Sequence, residues 1–86
     1  MKTIKHIVKD PNGIHARPAG VLVNTAKKFS SDITIHSDDK KGDCKRIFSV
    51  MGMSLKCGDS FRIEIVGDDE DAAEYAIKEA LTSSGI

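Results

Sequence analysis

His15 and Arg17 stand two residues apart in the run Asn12-Gly13-Ile14-His15-Ala16-Arg17-Pro18-Ala19. Imidazole is a nucleophile near neutral pH and can carry a phosphoryl group on a ring nitrogen. Guanidinium is a permanently charged, forked donor that matches phosphate oxygens. Together they point to a phosphoryl group held covalently on His15, with Arg17 against its oxygens. If a helix starts here, the backbone N–H groups of Ala16 and Arg17 join them. First-turn N–H groups have no partner inside a helix and lie at the positive end of its dipole. A His-x-Arg pair also occurs at ordinary helix starts, and on spacing alone that plain reading is the commoner one.

The surrounding elements set the pair at a helix start. Ile4, Ile7 and Val8 lie in a strand-like run from about Thr3 to Lys9, and Asp10-Pro11-Asn12-Gly13 is dense with turn signals. Ala19, Val21, Leu22, Val23, Ala26 and Phe29 then recur at helical spacing. They predict a helix from about Ala16 to Lys28 that stops near Phe29-Ser30-Ser31 and has His15 at about its N-cap. Pro18 is tolerated in the first turn, where a missing N–H costs nothing. Asp32-Ile33-Thr34-Ile35-His36 alternates with period two and reads as a second strand. Ser37 to Gly42 reads as a polar turn, with a third strand around Asp43 to Lys45. Ile47 to Met53 suits a short docked helix, and Lys56-Cys57-Gly58-Asp59 a turn. Phe61-Arg62-Ile63-Glu64-Ile65 is the clearest strand. A last helix is expected from Asp69, with that carboxylate as its cap and Glu70, Asp71 and Glu74 near its positive end. Ala73, Ala76, Ile77, Ala80 and Leu81 form its apolar stripe, and Glu74 and Lys78 an i,i+4 pair. The order β-α-β-β-α-β-α predicts an α+β domain of two layers, one sheet with its helices on a single face.

Composition narrows the function classes. The 86 residues allow one small domain, 1–86, able to bury only about 60–65% of its unfolded surface. Thirteen basic residues balance thirteen acidic ones, which argues against general nucleic-acid binding. No apolar run reaches membrane-spanning length, and no signal-peptide core follows Met1-Lys2-Thr3-Ile4, so a soluble cytoplasmic chain with no membrane insertion is expected. Cys44 and Cys57 read as reduced thiols. His6, His15, His36, Cys44 and Cys57 match no metal-ligand spacing, so no metal is expected. Counting by two from Ile4 and Val8 puts His6 on the core side of the first strand, where it reads as a satisfied core or edge histidine.

Gly13-Ile14-His15-Ala16-Arg17-Pro18-Ala19 resembles the active-site motif of HPr, the histidine phosphocarrier family of the bacterial phosphoenolpyruvate-dependent sugar phosphotransferase system. The resemblance continues through Lys45-Arg46-Ile47-Phe48 and Met53-Ser54-Leu55 to Gly67-Asp68-Asp69-Glu70, essentially the whole chain. It implies an open-faced sandwich of four antiparallel strands and three helices. It also implies a carrier rather than an enzyme, without a cofactor and monomeric. Such a carrier accepts a phosphoryl group from phospho-enzyme I on His15 and passes it to the IIA domains of sugar permeases. The choice of sugar lies in those IIA partners. An alternative is a regulatory binding module of the same fold, whose phosphorylation gates protein partners; retention of both His15 and Arg17 favours the carrier.

Two further features bear on partners. The short helix is apolar for its size. Ile47, Val50, Met51 and Met53 can fill core, whereas Ile47, Phe48 and Met51 can form an apolar patch beside His15 where partners dock. In the resembled family this helix flanks the active histidine and contacts partners. Gly20 costs its helix about 1 kcal/mol relative to alanine, for which close approach of a partner is one explanation. Lys27 can add charge at the rim. At position 46 the family commonly has a serine that a dedicated kinase phosphorylates in many Gram-positive bacteria, but this chain has Arg46. Arginine accepts no such phosphate and reverses the charge that phosphoserine would bring. An HPr kinase is therefore a doubtful partner, with Ser49, one helical turn on, the possible substitute.

Overall fold

A computed structural model describes residues 1–86. The elements run β1 (Lys2–Ile7), α1 (Ala16–Ala26), β2 (Asp32–Ser37), β3 (Lys40–Asp43), α2 (Ile47–Met51), β4 (Ser60–Val66) and α3 (Glu70–Ser83). The four strands form one antiparallel sheet in the order β1-β4-β2-β3. Period-two alternation sends Ile4, Ile33, Ile35, Phe61, Ile63 and Ile65 to one face, where all are buried. Ile4 pairs with Ile63, and Ile63 with Ile35, so one row of isoleucines crosses three strands. Ala19, Leu22, Val23 and Ala26 of α1 and Ala73, Ile77 and Leu81 of α3 close over that face. A fully buried isoleucine contributes about 1.5–3 kcal/mol relative to an exposed one, so this row fixes the register.

The third strand lies earlier than its sequence suggested, at Lys40–Asp43 rather than around Asp43 to Lys45. A hairpin turn of only Asp38 and Asp39 joins β2 to β3, pairing Ser37 with Lys40. Asp38 takes the left-handed conformation, φ 53°, which aspartate tolerates better than most side chains. Opposite Ile35, β3 presents Gly42 to the core side. A Cβ there would lie 3.0 Å from the Ser49 carbonyl oxygen of α2, so the strand carries no apolar signal at the position that would reveal it.

Two local expectations are also corrected. Asp69 occupies the N-cap position of α3, but its side chain does not cap the helix. Its carboxylate reaches across to the loop between α1 and β2 instead. It accepts the Ser30 N–H at 2.9 Å, the Ser31 N–H at 3.0 Å and both serine hydroxyls. Glu70, the first helical residue, accepts the Gly67 N–H at 3.2 Å from the turn before the helix and the Met1 amino group at 3.0 Å. His6 lies on the core-facing side of β1 and packs on Phe61 with ring centroids 5.4 Å apart, but its Nε2 is buried without a hydrogen-bond partner. It is a packed edge histidine, not a satisfied one. Ala76 is half-buried at the margin of the α3 stripe. Cys44 is buried in the core, where desolvation pushes its thiol up to about 12, and Cys57 is exposed; both are free.

The Ser31 hydroxyl, helped by the Ser30 N–H, holds the Asp69 carboxyl down at about 2, against an ordinary value of 3.8. These bonds therefore favour the folded chain fully above pH 4 and fade as pH falls toward 2. Asp69→Ala is expected to melt below the wild type at pH 7, with the gap closing between pH 4 and 2. Thermal unfolding across that range checks this, and a gap independent of pH would remove the role of the carboxylate charge.

Candidate active site

The segment between β1 and α1 is stitched to the rest of the chain. Val8 donates to Asp59 O (2.8 Å) and accepts from the Gly58 N–H (2.8 Å), while Lys9 donates to Ile86 O (2.6 Å). Gly13 donates to Asp10 O at 2.9 Å, closing a turn over Asp10-Pro11-Asn12-Gly13, and Ile14 donates to Leu55 O at 3.1 Å. Gly13 sits at φ 69°, and a Cβ there would overlap the Leu55 carbonyl oxygen. Glycine is required on both counts. Buried Ile14 and Val8 anchor the same segment in the core.

This delivers His15 to the N-cap of α1 in an extended conformation (φ −94°, ψ −175°), with its carbonyl accepting the Ala19 N–H at 3.0 Å. The sequence expectation placed it there. Ala16 and Arg17 open the helix, and Pro18 at the third position has no N–H, so two backbone donors remain at the helix mouth. Arg17 is exposed and forms no ion pair. It lines a depression of about 440 Å³ with Asp10, His15, Pro18, Val21 and two serines at the end of α3, Ser83 and Ser84. An exposed guanidinium and an imidazole thus share one solvent-open hollow beside the helix mouth with its two unpaired N–H groups. The His15 side chain is 41% exposed, accessible to a protein-borne phosphoryl group.

Sequence reasoning missed one member of the site. The Asp10 carboxylate lies 3.2 Å from His15 Nε2. Its other oxygen accepts the Asn12 N–H at 2.9 Å. That bond, more than the nearby imidazole, lowers the carboxyl below the usual range. Asp10 had registered only as a turn former; its spacing to His15 follows no helix or strand period, and only the tight turn brings the two together.

The docking candidates separate by exposure. Phe48 is 86% exposed and Met51 is 38% exposed, whereas Val50 and Met53 are buried and Ile47 is half-buried against the core. Val21, on α1 beside the hollow, is also exposed. Helix α2 packs on α1. Gly20 is half-exposed and a Cβ there would meet nothing within 4 Å, so no contact inside the chain demands glycine. Lys27 is the exposed C-cap of α1, roughly 18 Å along the helix axis from His15. Arg46 is the exposed N-cap of α2, its side chain 3.7 Å from the Asp43 carboxylate. The Ser49 hydroxyl is turned into the fold, where it accepts the Asp43 N–H at 2.8 Å. His36 pairs with Glu64 at 2.7 Å, and no three His, Cys, Asp or Glu side chains gather as a metal-ligand group.

Comparison with known proteins agrees on one family. Residues 2–83 match the family model described as PTS HPr component phosphorylation site. The chain is 44% identical to the phosphocarrier protein HPr of Lysinibacillus sphaericus over 86 residues, covering all of this chain and 98% of the relative. Its structure is similar to that of a histidine-containing phosphocarrier protein from Mycoplasma. The TM-score is 0.94 at 42% identity, covering 99% of this chain and 98% of the other. It is also similar to an HPr from Thermoanaerobacter tengcongensis, with a TM-score of 0.90 at 37% identity, covering 98% and 94% of the two chains.

The exposure pattern of α2 and the turn after it predicts opposite fates for two apolar residues, Phe48 and Met53. Phe48→Ala is expected to change stability by no more than about 0.5 kcal/mol. Met53→Ala should lose about 2–5 kcal/mol, as for other large-to-alanine changes in cores. Denaturant unfolding measures both, and comparable losses would contradict the division.

Proposed function

The chain belongs to the HPr family of phosphocarriers, whose members are carriers rather than enzymes, and from that membership we propose that His15 is its point of phosphoryl attachment. In this reading the chain accepts the group from phospho-enzyme I in the cytoplasm and delivers it to IIA domains of sugar permeases. The observation that carries it is the placement of His15 at the N-cap of α1, facing a hollow shared with Arg17. A phosphoryl group adds nearly two negative charges, met by the Ala16 and Arg17 N–H groups and the Arg17 fork. The same donors oppose charge build-up as the group moves between carriers, so they assist transfer in both directions. A relay needs that symmetry, because a group held too firmly would not be passed on.

Phe48 and Met51, with Val21, supply the apolar rim against which a partner docks, Ile47 supports it from below, and Gly20 and Lys27 extend the surface along α1. Phe48 in this role would be an anchor exposed in the free chain and buried in the complex. The regulatory serine pathway is absent from this reading. Position 46 is arginine, and phosphorylating Ser49 would break its bond to the Asp43 N–H.

Mass measurement after incubation with phosphoenolpyruvate and enzyme I tests the assignment. The wild type gains one phosphoryl group that is lost in acid, and His15→Ala gains none; labelling of that variant would falsify it. Arg17→Lys keeps the charge but loses the fork, so transfer slows while stability is unchanged. Phe48→Ala weakens partner affinity by about 1–3 kcal/mol if it is the anchor. With ATP and a Gram-positive HPr kinase, the wild type is expected to take up no phosphate. Stoichiometric phosphate mapped to Ser49 would restore the regulatory input one helical turn from its usual place.

A further inference from the structure

The ring of His15 has two nitrogens, and the fold treats them differently. Asp10 faces Nε2 at 3.2 Å, and no hydrogen bond joins a protein group to Nδ1. An ionised carboxylate can only accept, so Nε2 must carry the proton in that bond. Neutral imidazole has one ring proton, which leaves Nδ1 with a free lone pair. Resting on the reading of His15 as phosphoryl acceptor, we propose that Asp10 is a positioning residue. Its carboxylate fixes the Nε2–H tautomer, presents Nδ1 to phosphorus and stabilises the ring cation that phosphorylation creates.

The carboxylate is itself held in place. One oxygen accepts the Asn12 N–H at 2.9 Å, and the backbone oxygen of Asp10 accepts the Gly13 N–H at 2.9 Å. Pro11 restricts the backbone between them. Only 18% of the Asp10 side chain is exposed, less than half the figure for His15. Its second oxygen is therefore directed at the imidazole and partly screened from water.

The transfer step balances without any proton moving. The Nδ1 lone pair forms the N–P bond as the bond from phosphorus to the donor breaks, its electron pair staying with the donor. The ring keeps its Nε2–H and becomes a phosphoryl-imidazolium, whose positive charge the Asp10 carboxylate faces directly. In onward transfer the N–P bond breaks, its pair returns to Nδ1, and the ring is again neutral in the same tautomer. A ring with its proton on Nδ1 would first have to lose that proton. Asp10 thus keeps the histidine ready in both directions.

Two substitutions separate this role from simple support of the turn. Asparagine is nearly isosteric and can still accept the Asn12 N–H through its one oxygen. Its NH2 group then faces Nε2, which must accept, so the proton moves to Nδ1 and the attacking lone pair is lost. Alanine imposes neither tautomer. The expected order of transfer rate from enzyme I is therefore wild type, then Asp10→Ala, then Asp10→Asn. The asparagine variant should be slowed by about 10–100-fold, the range seen when a partner that orients a functional imidazole is lost, with KM for the donor protein unchanged. Ring 15N shifts should report Nε2 protonated in the wild type and Nδ1 protonated in Asp10→Asn. If Asp10 only shapes the turn, Asp10→Asn is the milder change and the 15N pattern of His15 does not move; either result overturns the proposal. His15→Ala run alongside keeps the two readings apart. Labelling of that variant removes the phosphohistidine reading and this proposal with it. An unlabelled His15→Ala beside Asp10 variants of wild-type rate removes the proposal alone.

Discussion

The site depends on the close backbone approach of Gly13 to Leu55. A left-handed residue with no Cβ lets the chain leaving β1 turn within four residues and lie against the segment after α2. The Ile14 N–H closes that contact on the Leu55 carbonyl, and the next residue is His15. Any side chain at position 13 would both strain the backbone and push against Leu55. The imidazole would then shift relative to the helix mouth, although the helix itself could still form. Stability and positioning are thus joined at one residue that touches no substrate.

The charge layout follows from the same geometry. The mouth of α1 offers two N–H groups and one unengaged guanidinium, and Asp10 lines the same hollow with its carboxylate against Nε2 of the imidazole. In the proposed function the positive elements attract a phosphoryl group, and the nearby carboxylate keeps its total binding modest. A hydrolase or a tight phosphate binder would surround the anion with more donors and exclude water. Here the hollow is open to solvent and lined by polar side chains with Pro18 and the exposed Val21. Such a site leaves room for a second protein to complete it, which is the physical requirement on a carrier.

Much of this was legible in the residues because strong periodicity and burial coincide. Helix α1, strands β2 and β4 and the stripe of α3 each carry apolar residues that the core then buries, and the His15 N-cap follows from the turn signals before it. What escaped notice was carried by residues with no periodic signature. Strand β3 shows the core only a glycine, because α2 crosses directly above Gly42. Asp69 reads as a local cap, yet its carboxylate binds Ser30 and Ser31 in the loop between α1 and β2, a contact no local pattern encodes. Asp10 meets His15 through a turn whose sequence says only that the chain bends. Around α2 the inward Val50 and Met53 and the outward Phe48 are expected from the sequence, but Ile47 and Met51 fit either side; the docking of α2 on α1 and β3 leaves Ile47 half-buried and Met51 exposed.

The central claim is that the mouth of α1 receives a phosphoryl group carried by His15. Proton–nitrogen and phosphorus NMR of the 15N-labelled chain, before and after phosphorylation by enzyme I, tests it most directly. The account predicts one phosphoramidate phosphorus coupled to a His15 ring nitrogen, with the Ala16 and Arg17 amide protons moving downfield as they donate to its oxygens. A phosphorus signal with no coupling to His15, or Ala16 and Arg17 amides that do not move when it forms, would contradict it.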